Sequence, residues 1–266
     1  MTCDAGRTAV RVAWLEEYMC EHVLGERFCC RHHDECRESA TWRGGVSFYA
    51  GQLSYVGRYY DIEVDGRPFR VLVVPMETGR AREHVTIAQR GTRVTDRIGQ
   101  PFWRRNPHMR GTALALRLAF GLGVGADPAG ERLPGSGVHV FEAFAMANLL
   151  LCSAVKTGTT TSRHTALMRR NCSKHLEATI RVLEPTLVIS QGVRLVKPLS
   201  GLFTTVEEHS PVVRTVALQG REFLWVLLHH PSGWSDSNWS RPDAPYLVET
   251  VRPAIGLARK LALRHG

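Results

Sequence analysis

The sequence predicts an α/β protein whose mainly parallel sheet carries helices on both faces. Three observations carry this. Short, continuously apolar runs read as strands buried on both sides, helix-periodic segments alternate with them, and glycine or proline marks most junctions. At 266 residues, with 44% hydrophobic and 22% charged side chains, the chain suits a single folded domain over residues 1–266 and not a disordered one.

Val12, Leu15, Met19 and Val23 recur at helical spacing, so residues 8–24 predict a helix closed by Gly25. Aromatic and glycine-rich residues 45–62 predict a hairpin, and Asp65-Gly66 a turn. Residues 69–74 are almost wholly apolar and predict the first buried strand, which stops at Pro75-Met76-Glu77-Thr78-Gly79. A polar loop follows, then a helix over about 110–120. Gly121-Leu122-Gly123-Val124-Gly125 has the look of a dinucleotide fingerprint but follows a helix instead of a strand, so it reads as a cap and loop. Residues 138–141 and 147–151 predict extended chain, 165–183 a long helix ended by Pro185, and 187–190 another buried strand. Residues 212–218 and 222–228 predict a strand pair turning at Gln219-Gly220, and about 246–263 a final helix. Residues 1–68 form an N-terminal helix with early cysteines and the hairpin insertion; residues 69–266 form the core.

Lys plus Arg total 34 against 25 Asp plus Glu, a net charge of +9, and only four of the cations are lysine. Arginine forks suit phosphate, so the excess fits a nucleic-acid partner; an arginine-rich codon usage explains it equally well. The longest nearly apolar run, residues 143–155, is too short to cross a bilayer, and no signal peptide opens the chain, so a cytoplasmic protein is expected. Seven cysteines are an odd number and point away from a disulfide framework, toward metal or catalytic roles. Cys20 fits a small buried hydrophobe, whereas Cys29-Cys30 beside Arg31-His32-His33-Asp34 does not.

Several strings fall at strand ends, where sites form in such sheets. In order they are residues 71–79, Gln100-Pro101-Phe102-Trp103, Arg110-Gly111, Asn148-Leu149-Leu150-Leu151-Cys152, Cys172, residues 184–192 and His230-Pro231-Ser232. Together they resemble the uracil-DNA glycosylase superfamily, and within it the iron–sulfur, thermophile-type branch. The resemblance covers about residues 69–264. It implies a three-layer α/β/α fold with a central, mainly parallel four-stranded sheet. It also implies hydrolysis of the N-glycosidic bond of uracil, or a related deaminated base, flipped out of DNA. Such a reaction leaves an oxocarbenium-like sugar and an anionic base, so it needs an acceptor near the sugar and donors near the base oxygens.

Under the resemblance Glu77 and His230 are the catalytic residues. Phe102 stacks on the base, Asn148 reads its pyrimidine edge, and Met76 and Gly79 line its pocket. Ser232, Arg104, Arg105 and Arg163 grip phosphates, and Trp234, or else Trp239, wedges the bases apart. Cys30, Cys36, Cys152 and Cys172 hold a [4Fe–4S] cluster, with Cys29 the substitute for Cys30. DNA is the partner, no membrane is involved, and the protein is a monomer. The sequence departs from the family in places. Met76 stands where the branch has its Glu, with Glu77 one position on; Leu151 replaces a lysine; and Cys152 and Cys172 stand 20 positions apart, a few more than the family spacing. Three alternatives stay open: zinc on Cys30, His33 and Cys36, a non-catalytic iron–sulfur DNA-binding relative, and a zinc or thiol enzyme unrelated to DNA.

Overall fold

The computed structural model describes residues 1–78, 84–159, 161–233 and 235–265. Its elements, in chain order, are β1 (Thr2–Cys3), α1 (Ala5–His22), α2 (His33–Thr41), β2 (Val46–Tyr49), β3 (Tyr55–Val56), β4 (Ile62–Val64), β5 (Arg67–Pro68) and β6 (Val71–Pro75). Then come α3 (Ile87–Thr95), α4 (Pro107–Ala119), β7 (Phe144–Met146), β8 (Ser153–Lys156), α5 (Ala166–Leu183) and β9 (Leu187–Gln191). The chain ends with α6 (Val196–Ser200), β10 (Thr204–Ser210), β11 (Val213–Leu218), β12 (Arg221–Leu228) and α7 (Arg252–His265). Among the described residues no helix is long and apolar enough to cross a membrane.

The protein is mixed α/β, and its main sheet has seven strands in the order β10-β11-β12-β9-β6-β7-β3. This corrects the expected four-stranded sheet. β12, β9, β6 and β7 pair in parallel, while β10, β11 and β3 extend the two edges in antiparallel pairing. β10 was not foreseen, because its Thr-Thr-Val-Glu-Glu-His-Ser string is largely exposed and carries no apolar run. The turn between β11 and β12 matches expectation: Gln219 and Gly220 have φ of 50° and 81°, the left-handed values that a tight hairpin needs.

The expected hairpin over residues 45–62 does not form. β2 pairs with β8, and β3 with β7. Between them Gln52 N–H bonds to Leu151 O at 2.8 Å and Leu53 N–H to Val85 O at 2.9 Å, so the linker is pulled onto two other segments. Two further elements were read as loop. α2 is short and polar; α3 is opened by a Thr86/Gln89 capping box in a segment with few apolar residues.

Alternation along the parallel strands splits the interior into two cores. Val71, Val73, Leu187, Ile189 and Val226 pack with α4 and α7 on one face. Leu72, Val74, Val188, Trp225 and Leu227 pack with α1, α5 and α6 on the other. Each fully buried leucine or valine contributes roughly 1.5–3 kcal/mol. The N-terminal helix is held to the second face by Arg11, which pairs with Asp61 at 3.1 Å and Glu184 at 2.9 Å and donates to Val182 O at 2.7 Å. That clamp fixes the segment after α1 against α5.

A buried ionic triad pins the loop before β7. Arg105 and His139 contact the two oxygens of Glu131 at 2.7 and 2.8 Å. Against the cost of burial, these hydrogen bonds hold the Glu131 carboxyl below its usual range. Its folded pKa lies below the unfolded one, so its stabilisation is complete above pH 4.5 and lost as pH falls through the folded value. Glu131→Gln leaves Arg105 buried without an anion and is expected to cost about 3 kcal/mol in urea unfolding at pH 7. The same variant should lose part of the wild-type acid sensitivity.

Candidate functional site

Parallel pairing brings the carboxyl ends of β6, β7, β9 and β12 to one edge of the sheet. The pairing continues past the strands. Leu149 N–H bonds to Pro75 O at 2.9 Å and Leu150 N–H to Met76 O at 2.8 Å, which sets the loop after β7 alongside the loop after β6. Two groupings of functional side chains grow from this edge.

The first is a set of thiols. Cys30, Cys36, Cys152 and Cys172 line one small cavity together with Val23, Phe28, His32, His33, Leu151, Asn171 and His175. Local structure brings each there. After α1 the chain doubles back, with Cys29 N–H bonded to Val23 O at 2.9 Å. His33 N–H then bonds to Cys30 O and Cys36 N–H to His32 O, so Cys30 precedes α2 and Cys36 sits in its first turn. That turn explains the five-residue gap between them. Cys152 leads into β8, and Cys172 lies within α5.

All seven cysteines are free thiols. Burial pushes up the thiols of Cys30, Cys36 and Cys152, and that of Cys172 to about 12. Two side chains face the sulfurs: Asn171 Nδ2 donates to Cys36 Sγ at 3.5 Å, and His175 Nε2 lies 3.9 Å from Cys30 Sγ. Tyr18 holds the other ring nitrogen of His175 at 3.0 Å. Cys29 is exposed, its sulfur 3.5 Å from Cys20 O and Glu21 O, and it lines an outer groove with Phe28, His33, Phe48, Tyr49 and His84. Cys20 is exposed instead of buried, since Leu15 and Met19 take the inward face of α1. Among the described residues no group of three or more His, Cys, Asp or Glu is set to hold a single metal ion.

The second grouping is a polar set on the other side of the same loops. Asn148, 3% exposed, donates from Nδ2 to Thr78 Oγ1. Arg90, on α3, donates to Thr78 Oγ1 at 3.0 Å and reaches Asn148 Oδ1 at 3.5 Å. His108, in the first turn of α4 behind the Asn106 cap, packs its ring 5.6 Å from that of His230. His108 Nε2 is buried without a hydrogen-bond partner. Burial, then His230, then Arg90, lower the His108 pKa to about 3. Desolvation on its packed side also lowers that of His230, although one edge of the ring is open to solvent. Ser232 N–H donates to His230 Nδ1 at 3.2 Å, which leaves the ring proton on Nε2 as a donor. The turn bearing His230 is seated on α4 at Gly111, where a Cβ would stand 2.4 Å from that of Pro231.

The remaining sequence candidates fall as follows. Glu77 turns away from this polar set: its Oε2 accepts from Ala154 N–H at 3.2 Å, its Oε1 lies 3.9 Å from His164, and the side chain is 6% exposed. Phe102 is 2% exposed and packs in the core on the α4 face, leaving Trp103 as the exposed ring beside it. Arg105 does not face outward for phosphate, because Glu131 holds it in the interior. Trp239 is no wedge: it is fully buried, and its indole N–H donates to His229 O at 2.8 Å. Met76 packs against the second core, and Arg104, Arg163 and Ser232 are exposed. Gly79 and Trp234 lie outside the described residues. The two cavities described above are lined by neither Glu77, Asn148 nor His230. Arg90, His108, Thr78, Asn171 and His175 were not singled out as site residues; apart from Thr78, within the 71–79 string, each is a polar residue in a polar or helical stretch that carries no motif. The chain matches no protein-family model and no curated protein.

His108 stays neutral in the folded state while the unfolded chain takes its proton near pH 6.5. The unfolded state therefore binds more protons between about pH 3 and 6.5, and stability rises with pH across that window. Urea midpoints should fall between pH 7 and pH 5, and His108→Gln should make the fall shallower.

Proposed function

We propose that this chain is an iron–sulfur DNA glycosylase that hydrolyses the N-glycosidic bond of uracil, or a related deaminated base, extruded from DNA. The observation that carries the reading is a polar set of two contacting pairs, Thr78 with the buried Asn148 and His108 with His230. These residues come from four separate loops and helices and meet at the carboxyl edge of the parallel strands. The strand order β7-β6-β9-β12 supports a three-layer architecture of the uracil-DNA glycosylase type, as does the burial of both sheet faces.

The chemistry follows from the donors present. Asn148 offers an amide that pairs with both donors and acceptors of a base edge. Desolvation of their packed sides lowers the pKa of both His108 and His230, so neutral imidazoles face the site without adding charge, and His230 carries its ring proton on Nε2 as a donor. In the reaction the C1′–N bond breaks with its electron pair on the base, a water oxygen bonds to C1′, and the water proton passes to solvent. Since Glu77 is engaged with β8, the reading rests on stabilising the departing base more than on activating water. Entry of a base requires the Thr78, Arg90 and Asn148 contacts to part. Arg104 and Arg163 are exposed and in this reading contact the phosphates.

The four thiols fit a [4Fe–4S] cluster: they are free, they ring one cavity, the Asn171 amide donates to the Cys36 sulfur, and the His175 ring faces that of Cys30. Bound there by Cys30, Cys36, Cys152 and Cys172, it would cross-link the N-terminal segment, β8 and α5; the hydrolysis needs no electron transfer. Anaerobically purified protein is expected to be brown, with iron and acid-labile sulfide in equal amounts, and Cys172→Ser to lose both. Colourless protein would remove the cofactor from the reading.

Uracil-containing oligonucleotides, single- and double-stranded, followed by alkali test the activity. Strand scission is expected, with His230→Ala slowing base release about 100-fold or more. The diversion of Glu77 favours one second reading, a binder that has lost hydrolysis. It predicts salt-sensitive DNA binding with no base release.

A further inference from the structure

Arg90 is a buried cation that meets no counter-ion among the described residues. Its residue is 8% exposed, yet its guanidinium contacts only neutral atoms: Thr78 Oγ1 at 3.0 Å, Asn148 Oδ1 at 3.5 Å and Met146 Sδ at 3.6 Å. Other buried arginines are each paired. Arg105 has Glu131 at 2.7 Å, Arg117 has Asp127 at 3.1 Å, and Arg70 lies near Asp61 and Glu184 at 3.6 and 3.9 Å. Among the described residues no carboxylate pairs with Arg90. Burial and the neighbouring Arg93 lower its pKa to about 10, which still leaves it charged at neutral pH. A buried charge of this kind costs several kcal/mol unless an opposite charge joins it.

The surroundings say what kind of anion fits. Asn148 and the orphaned His108 Nε2 lie in the same set, and Arg90 itself opposes protonation of His108. The site thus offers a planar cationic fork, an amide and a neutral imidazole. That combination matches a flat ring with acceptor atoms along its edge and one negative charge. A tetrahedral oxyanion makes poorer use of an amide and a flat fork.

We propose that Arg90 is an anion-recognition residue that binds the departing base as its planar N-heterocyclic anion, alongside Asn148 and His108. The proposal rests on reading this set as the base site. When the C1′–N bond breaks, its electron pair makes the base a monoanion, and that charge lies against Arg90 while water adds to C1′ and releases its proton. Arg90 then acts more on the charged product and transition state than on the neutral base.

Barbiturate, a pyrimidine ring ionised at neutral pH, is the probe; neutral uracil and inorganic phosphate are its comparators. Calorimetry on the full chain is expected to show barbiturate binding at least about tenfold tighter than uracil or phosphate, the size of one charge-assisted contact. Arg90→Gln should abolish that preference while moving uracil affinity by less than about threefold, and Arg93→Gln should preserve it. Equal binding of barbiturate and uracil by the wild type overturns the proposal, with no variant needed. So does a preference that survives Arg90→Gln, or phosphate binding as tight as barbiturate. Arg90-dependent barbiturate binding without base release leaves the anion site standing and sinks the glycosylase. Base release with no barbiturate preference does the reverse.

Discussion

Parallel pairing of β6 with β7 on one side and β9 on the other is the constraint on which the rest depends. It sends the carboxyl ends of the strands to one edge, so residues far apart in sequence leave the sheet together. The backbone bonds from Leu149 and Leu150 to Pro75 and Met76 extend that register into the loops. Asn148 is thereby delivered beside Thr78, and Cys152, four residues later, beside the early thiols. A slip of one residue in this pairing would exchange the two faces and dissolve both groupings.

The two groupings share a wall. Glu77 leaves the loop that carries Thr78 and takes its hydrogen bond from Ala154, in the strand that starts just after Cys152. The carboxylate thus ties the polar set to the thiol cavity through a buried contact. The other carboxylate oxygen, Oε1, makes no hydrogen bond among the described residues and lies 3.9 Å from His164. His230 is fixed from the opposite side, where Trp239 bonds the chain at His229 and Gly111 lets Pro231 sit on α4. The imidazoles are therefore held by packing and backbone bonds and the Asn148 amide by Thr78 and Arg90, with no carboxylate bonded to them among the described residues.

Much of the frame was legible in the sequence. Buried strands at 71–75, 187–191 and 221–228 announced themselves as apolar runs, and α5 by its period and by Pro185 after it. Cys30, Cys36, Cys152 and Cys172 were singled out together through the family resemblance, and all four line one cavity. The failures have physical causes. α2 and α3 are short and polar, so hydrophobic periodicity is silent there, and Arg90 went unseen with α3. The 45–62 region alternates well enough for a hairpin, but its strands bond to β8 and β7, partners about a hundred residues away. Arg105, Phe102 and Trp239 are residue types that serve surfaces and cores equally; only burial separates the uses.

The sequence by itself determined which segments are strands buried on both faces, where they stop, and which side chains wait at their ends. Those properties are local, written in apolar runs and in the turn residues that break them. Tertiary structure alone decided the edge strands, the inward turn of Arg105 and Trp239, the assignment of Glu77 to β8, and the placement of an uncompensated Arg90 against Asn148. Each of these depends on which distant backbone or charge lies nearby, and a one-dimensional pattern carries no record of that distance.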